Sequence, residues 1–255
     1  MAEISLTNVS VDIPVYDAAS GSIRKLILAS TIGGRFVEFQ HHLVANALKN
    51  ISFDVQQGDR IGLVGANGSG KTTLLRVLSG VYTPTSGSID VDGRVSPLFD
   101  VSLGMSMDAT GVENIRMCGI LWGLTRREID DHFEEIKEFT ELGGYLNMPV
   151  RTYSAGMRLR LGFAIATARD PEILLLDEAI GAGDAMFMEK AFAQLQNLAH
   201  RSSILIVASH SEDIIHKLCN KAIWLHRGNL MDYGDVNKVL AAYRNLGDTA
   251  ARREQ

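Results

Sequence analysis

A glycine-rich segment at residues 65–73, Gly-Ala-Asn-Gly-Ser-Gly-Lys-Thr-Thr, constrains this chain more than any other feature of its sequence. It matches the P-loop pattern G-x4-G-K-[ST], with a buried strand predicted before it at residues 60–64 and a helix predicted after it at residues 71–80. Glycines at these positions let successive backbone N–H groups point at phosphate oxygens, where side chains would collide. The positive end of the helix attracts the same anion. The segment therefore predicts a nucleoside triphosphate site.

Two side chains of the P-loop have separate predicted roles. Lys71 is expected to reach the β- and γ-phosphates of ATP, and the hydroxyl of Thr72 is expected to ligate Mg²⁺. A glycine-rich turn with an incidental lysine is the alternative interpretation, which the preceding strand and following helix disfavour. The remaining predicted ATP contacts are Gly65, Ala66, Asn67, Gly68, Ser69, Gly70 and Thr73.

A second candidate site follows an apolar strand predicted at residues 173–176 and begins with Asp177 and Glu178. A strand of a parallel sheet delivers the residues after it to the edge where ligands bind. We expect Asp177 to bind Mg²⁺ through water and Glu178 to act as the general base on the attacking water. An acidic pair where a sheet meets solvent is the alternative interpretation, and the P-loop favours the catalytic one.

Strand-like and helix-like segments alternate along most of the chain, which predicts an α/β fold with a helical insertion. Further predicted elements are strands at residues 4–15, 47–55, 89–91, 95–99 and 204–208, a hairpin at 222–225 and 230–233, and a helix at 235–246. We predict one domain over residues 1–246, an insertion with a short amphipathic helix at 17–45, a helical block at about 100–170, and a polar tail at 247–255.

Composition narrows the functional classes. The 255 residues carry 25 Lys and Arg against 30 Asp and Glu, a net charge of −5, which argues against coating of nucleic acid through positive charge. Only two cysteines occur, which predicts a reducing compartment. Because no segment has the pattern of a signal peptide or the roughly twenty apolar residues of a membrane span, we expect a soluble chain that reaches a membrane through a partner.

The helical block ends in residues 153–157, Tyr-Ser-Ala-Gly-Met, ahead of another predicted helix. Ser154 is a good helix N-cap, which is the simplest interpretation of this segment. Together with the P-loop and Asp177, however, it resembles the signature loop L-S-G-G-Q of ABC-type ATPase cassettes. In that family the Ser and the second Gly, here Ser154 and Gly156, contact the γ-phosphate held by the opposite subunit. Three residues depart from the family pattern, namely Tyr153, Ala155 and Met157.

The resemblance implies roles for two further residues. Asp184, six residues after Glu178, resembles the D-loop aspartate at the dimer interface. His210, just past the strand predicted at residues 204–208, resembles the switch histidine that orients the γ-phosphate. A lone histidine after a strand is usually inert, so the role of His210 rests on the order and spacing of the motifs.

Two family features are missing from the sequence. The Gln expected between the core and the helical block is absent, and Asp100 is the candidate replacement on the Mg²⁺ side. The aromatic residue that stacks on adenine aligns with Ile13, so Tyr16 is the candidate replacement, with surface packing as the alternative.

The signature Y-S-[AS]-G-M, the Gly-Asp-Ala element at residues 183–185, and the segment at residues 98–105 before 110–115 together resemble the ATP-binding subunits of polysaccharide exporters, the O-antigen, capsule and teichoic-acid branch. That resemblance implies an ABC cassette fold, in which a P-loop core sheet carries an antiparallel β-subdomain and an inserted helical subdomain. It also implies an ATPase with ATP and Mg²⁺ as cofactors, acting as a homodimer. In that branch an extra helix beside the membrane subunit occupies the position of the insertion at 17–45, for which a surface loop is the alternative.

The same resemblance implies an integral membrane permease as partner, no nucleic acid, and a peripheral location on the cytoplasmic face of the inner membrane. A lipid-linked polysaccharide would be contacted mainly by the permease. The alternative is a soluble ABC-type ATPase that acts as a nucleotide-driven switch, but such proteins usually carry two cassettes or a long coiled coil. A small-molecule kinase would not need Ser154, Gly156 and His210 in this order.

Overall fold

The computed structural model describes residues 1–15, 36–39, 42–99, 104–168, 170–177 and 185–251. Its strands are β1 (Glu3–Val15), β2 (Phe36–Phe39), β3 (His42–Gln56), β4 (Arg60–Val64), β5 (Ser86–Asp92), β6 (Val95–Leu98), β7 (Ile173–Asp177), β8 (Ile204–Ala208), β9 (Lys221–His226) and β10 (Asn229–Asp235). Its α-helices are α1 (Lys71–Leu78), α2 (Gly111–Leu121), α3 (Arg126–Thr140), α4 (Ala155–Ala166), α5 (Ala185–Arg201), α6 (Glu212–Leu218) and α7 (Val236–Ala251). Two 3₁₀ turns, Gly143–Asn147 and Val150–Thr152, connect α3 to α4.

The chain divides into two compact units, one formed by Met1–Gly93 and Ile206–Gln255 and the other by Arg94–Leu205. Four antiparallel strands of the first unit form a sheet in the order β2-β3-β1-β5. Alternation along β1 puts Ile4 and Leu6 on one face, where both are buried. The residues opposite Ile4, Val55 on β3 and Val91 on β5, carry the apolar pattern across the sheet.

The first unit also holds the strand and helix that flank the P-loop. β4 pairs in parallel with β9, with Leu63 opposite Ile223, and β9 pairs antiparallel with β10. The four residues 61–64 are all buried, as expected for a strand covered on both faces. β4 therefore delivers the P-loop from a rigid interior strand.

The second unit contains the predicted helical block together with two parallel strands, β6 and β7, in which Val95 lies opposite Ile173. Capping boxes begin two of its helices, from Thr110 and Glu113 at α2 and from Thr125 and Glu128 at α3. Buried apolar residues from the helices and 3₁₀ turns form its core: Ile115, Cys118, Leu124, Ile129, Ile136, Leu142, Leu146, Val150, Tyr153, Leu161, Ala164 and Ile165.

Two predicted elements, the strand at residues 47–55 and the helix at 235–246, each continue five residues beyond a predicted end. β3 begins at His42 rather than residue 47, and β2 precedes it, so strand structure occupies the described end of the predicted insertion. The amphipathic helix predicted within residues 17–45 lies outside the described residues. Helix α7 continues to Ala251, so residues 247–251 are helical where a polar tail was predicted. One glycine, Gly247, costs a helix only about 1 kcal/mol and does not end it without a following proline.

Candidate nucleotide-binding site

The P-loop connects β4 to α1, and packing within the first unit determines its course. Gly65 has φ 150°, and a Cβ there would lie 2.3 Å from the backbone oxygen of Leu225. Gly70, the N-cap of α1, has φ 114°, and a Cβ there would lie 2.9 Å from the oxygen of Ala47. Glycine is thus required at both positions by the fold itself, in addition to the room it leaves for a phosphate.

The β9–β10 hairpin turn holds the P-loop from outside. The N–H of Gly228 donates to the carbonyl of Ser69 at 2.8 Å, and the carbonyl of Gly228 accepts from the N–H of Lys49 at 2.8 Å. Gly228 has φ 81° and no room for a Cβ, which would lie 2.8 Å from the oxygen of Ala47. Sequence reasoning predicted this hairpin but missed its contact with the P-loop, because nothing in the local pattern relates residue 228 to residue 69.

Two side chains within the P-loop indicate that it binds an anionic ligand. The Lys71 ammonium is buried and donates to the carbonyls of Gly65 at 2.6 Å and Ala66 at 3.4 Å. The hydroxyl oxygen of Ser69 is buried without a hydrogen-bond partner, and it lies 2.6 Å from the position that a Cβ on Gly65 would occupy. A buried unpaired hydroxyl is costly, so a ligand oxygen in this loop would remove the penalty. These residues fit the phosphates of a nucleotide.

The other predicted site residue of the first unit is His210, which is exposed and separated from β8 only by Ser209. The hydroxyl of Ser209 accepts from the N–H of Ser211 at 3.0 Å, which fixes the turn around His210. This position, just past the end of a fully buried strand, matches the one that the sequence predicted.

In the second unit, Asp177 is the last residue of β7 and is half-buried, directly after the buried run 173–176. A carboxylate at this strand end is an oxygen donor of the kind that Mg²⁺ prefers. Within the described ranges, no three His, Cys, Asp or Glu side chains are grouped as a metal site would need. Four predicted site residues lie outside those ranges: Tyr16, Asp100, Glu178 and Asp184.

The signature segment forms the N-terminus of α4. Ser154 is its N-cap, and its hydroxyl oxygen accepts from the N–H of Met157 at 3.2 Å, so the Ser154 O–H remains a donor for another group. Gly156 lies in the first turn of α4, where a Cβ would meet nothing closer than the Ser154 hydroxyl at 3.9 Å. Ser154 and Ala155 are exposed. The described residues around position 156 therefore do not explain why it is a glycine.

Tyr153 departs from the leucine of the family signature, and the structure explains this residue by packing. Its ring is buried in the core of the second unit, and its hydroxyl donates to the carbonyl of Tyr145 at 2.6 Å. Burial raises the pKa of Tyr153, so the hydroxyl stays protonated and remains a donor. A Cβ on Gly111, the first residue of α2, would lie 2.5 Å from this hydroxyl. Tyr153 thus joins the signature segment to the start of α2, a role that sequence reasoning missed.

A family model described as "ABC transporter" matches residues 48–181. The chain is 42% identical over 229 residues to the O-antigen export system ATP-binding protein RfbE of Yersinia enterocolitica, which covers 89% of this chain and 96% of that protein. It is 40% identical over 198 residues to the teichoic acids export ATP-binding protein TagH of Bacillus cereus, which covers 78% of this chain but 36% of that longer protein.

A solved structure, an ATP-binding cassette described as a dimer in a post-hydrolysis state bound to ADP and Pi, superposes with a TM-score of 0.65. The two chains are 20% identical, and the superposition covers 91% of this chain and 98% of the chain in the solved structure. At that identity the likeness concerns the fold, and it confirms the predicted α/β cassette architecture. No helix in the described ranges has the length and hydropathy needed to cross a bilayer.

Proposed function

Because this chain belongs to the ABC transporter family of ATP-binding proteins, we propose that it is the ATP-hydrolysing subunit of an exporter of lipid-linked polysaccharide. The named relatives serve O-antigen export and teichoic acid export, which supports this substrate class. The similarity to RfbE runs over almost the full length of that protein, so the proposal does not rest on a shared nucleotide-binding core alone.

The observation that carries the proposal is a pair of glycine-bearing helix N-termini with different surroundings. The P-loop before α1 holds a buried lysine and an unpaired hydroxyl, as a phosphate site requires. The N-terminus of α4 carries an exposed Ser154 and a Gly156 at which a Cβ would meet no described atom closer than 3.9 Å. A phosphate held by a second copy of the chain gives both features of α4 a physical reason, because backbone N–H groups at a helix start bind anions.

The proposed roles are those that the motifs and their resemblance to ABC cassettes imply. Lys71 binds the β- and γ-phosphates, Thr72 and Asp177 would hold Mg²⁺, and Glu178 is the general base on water. His210 orients the γ-phosphate in the same protomer. In the partner protomer, Ser154, Ala155, Gly156, Met157 and Asp184 complete the site. Bound Mg²⁺ would neutralise part of the phosphate charge. Asp100 is the proposed replacement for the missing Gln, and Tyr16 is the proposed replacement for the aromatic residue that stacks on adenine.

An exposed apolar patch on α2 supports a membrane-protein partner. Met117, Ile120 and Leu121 are 48%, 52% and 61% exposed. Exposed apolar residues that lie together on a surface often mark a site of interaction with another protein. The side chain of Leu121 lies against Gly104, where an added Cβ would be 2.1 Å from a Leu121 methyl group. Gly104 follows Asp100 by four residues in the sequence. We assign this patch to an integral permease, with the cassette dimer peripheral on the cytoplasmic face of the inner membrane.

The proposal is tested by the Glu178→Gln variant, assayed for ATPase turnover and for binding of a fluorescent ATP analogue. We expect turnover to fall about a hundredfold or more with binding retained, because the amide cannot accept a proton from water. Glu189→Gln, which removes an exposed carboxylate from α5, serves as the control and should match the wild type. A Glu178→Gln variant with near-normal turnover would rule out Glu178 as the base.

The class of system is tested by purification. Recovery of the chain with a multi-span membrane protein supports the exporter. Recovery with nucleic acid or ribosomes and no membrane partner supports the soluble switch instead.

A further inference from the structure

The second unit contains a charged residue in a backbone conformation that usually belongs to glycine. Glu141, the C-cap of α3, has φ 56°, where an uncharged glycine would be the favoured residue. Its carboxylate accepts from the Lys190 ammonium at 2.7 Å and from the Arg160 guanidinium at 3.2 Å. One side chain therefore links the end of α3 to both α4 and α5.

Aromatic rings also contact the two cations. Phe139, Phe163 and Phe187 pack with ring centroids 5.7 to 5.9 Å apart, one phenylalanine from each of α3, α4 and α5. The Lys190 ammonium lies 4.6 Å from the centre of the Phe139 ring, and the Arg160 guanidinium lies 5.0 Å from that of Phe187. Each cation thus contacts a ring face and the Glu141 carboxylate together, which restricts both side chains to one arrangement.

The placement of these residues relates them to the proposed trans site. Arg160 is the sixth residue of α4, which begins directly after Ser154, and Lys190 is the sixth residue of α5, which begins directly after Asp184. Five residues of helix span about 7.5 Å. The links through Glu141 therefore lie within two turns of both helix starts that the proposed function directs at the partner protomer.

We propose that Glu141 is a positioning residue that holds the starts of α4 and α5 in one fixed relation, so that the signature and D-loop residues meet the partner's nucleotide together. This inference rests on the proposed function for its consequence, but the restraint it describes belongs to the single protomer. Glu141, Arg160 and Lys190 are not proposed to contact the nucleotide.

Glu141 is expected to contribute little to the free energy of unfolding, because its side chain is 53% exposed and that of Lys190 is 39% exposed. The Arg160 side chain is less exposed, at 19%, so its pair with Glu141 is less screened by solvent than the Lys190 pair. The Lys190 ammonium holds the pKa of Glu141 below its usual value, so the carboxylate stays charged at neutral pH. Glycine would relieve the left-handed backbone, so a Glu141→Gly variant should remain folded while both ion pairs are lost. Lys190 would keep its hydrogen bond to the Phe139 carbonyl, at 3.3 Å, so the variant weakens the link to α5 and removes the ion pair to α4.

The first measurement is the distance between spin labels at Thr152→Cys, just before α4, and Met186→Cys, in the first turn of α5, in the protomer without nucleotide. The native thiols do not compete for label, because burial raises the pKa of Cys118 to about 11 and that of Cys219 to about 12. We expect Glu141→Gly and Glu141→Gln to widen the distance distribution about twofold. Asp131→Asn, which breaks an exposed pair with Arg127 on α3, is the matched control and should not widen it.

The second measurement is ATP-driven dimerisation in a Glu178→Gln background, alongside ATP binding by the protomer and its melting temperature. We expect dimerisation to weaken about tenfold in both Glu141 variants, with ATP binding and melting unchanged. An unchanged distance distribution overturns the inference, as does a dimerisation loss matched by equal loss of ATP binding or of melting temperature. If the Glu178→Gln parent itself does not dimerise, the proposed function fails, and the distance distribution alone decides whether Glu141 restrains the two helices.

Discussion

The P-loop and the signature segment are both glycine-bearing turns ahead of a helix, yet their glycines have different physical causes. Gly65 and Gly70 have positive φ and no space for a side chain, because backbone oxygens of Leu225 and Ala47 lie against them. Gly156 has ordinary helical surroundings and open space. The P-loop is therefore shaped by its own protomer, whereas the described residues around Gly156 leave room for a side chain, and the proposed function explains this glycine by a phosphate of the partner protomer.

The two elements also differ in how far the protomer supports them before a ligand binds. The P-loop is preorganised, since β4, the Gly228 turn and β3 hold it in place before any ligand binds. The N-terminus of α4 is capped by Ser154, but Ser154 and Ala155 are exposed and the cap forms without a ligand. Substitutions should consequently damage the isolated protomer in the first case and only its association in the second.

The largest effect on the protomer is expected from Gly65→Ala. The new Cβ meets a backbone oxygen that cannot move without disturbing β9, so we expect a loss of about 3 kcal/mol in the free energy of unfolding. ATP affinity should fall about a hundredfold because the N–H groups of the loop are displaced. Chemical denaturation and calorimetric titration measure these two quantities. If the Gly65→Ala variant kept wild-type stability and ATP affinity, contacts within the protomer would not determine the conformation of the P-loop.

A smaller effect is expected from Gly228→Ala, which disturbs the turn that supports the P-loop. We expect a loss of about 1–2 kcal/mol in stability, since φ 81° disfavours alanine and Ala47 is close. ATP affinity should fall about tenfold through the displaced bond to Ser69. Gly144→Ala, at a position where a Cβ meets nothing within 4 Å, is the control and should change neither quantity. If ATP affinity is unchanged in Gly228→Ala, the turn does not support the nucleotide-binding conformation of the P-loop.

The smallest effect on the protomer, and the sharpest test of the comparison, is expected from Gly156→Ala. Its free energy of unfolding should stay within about 0.5 kcal/mol of the wild type or rise slightly, because alanine favours the helix. ATP binding by the single chain should also be unchanged. ATP-driven dimerisation, measured by size-exclusion chromatography in the Glu178→Gln background, should fall about tenfold as the methyl group blocks the partner's phosphate. Normal dimerisation would mean that Gly156 has no role at the interface.

Local pattern was sufficient for the parts of the fold that depend on neighbouring residues. The strands at residues 60–64 and 204–208 have the predicted bounds, since continuous apolar runs of this length indicate buried strands. The P-loop, the helix after it and the position of Asp177 follow from the same local signals. The contacts of Gly228 with Ser69 and of Tyr153 with Gly111 were not predicted, because no short-range pattern identifies which distant backbone a turn or ring approaches.

The sequence by itself determined the chemistry of this protein: which residues form the P-loop, where the acidic pair and the signature segment lie, and which family they indicate. Tertiary structure alone decided which glycines are required by the fold and which residues hold the site, as with Gly228 behind the P-loop and Glu141 between α4 and α5. The physical reason is that residue type and short spacing encode chemistry and local conformation, whereas steric exclusion and ion-pair geometry depend on atoms that the chain brings together from far apart.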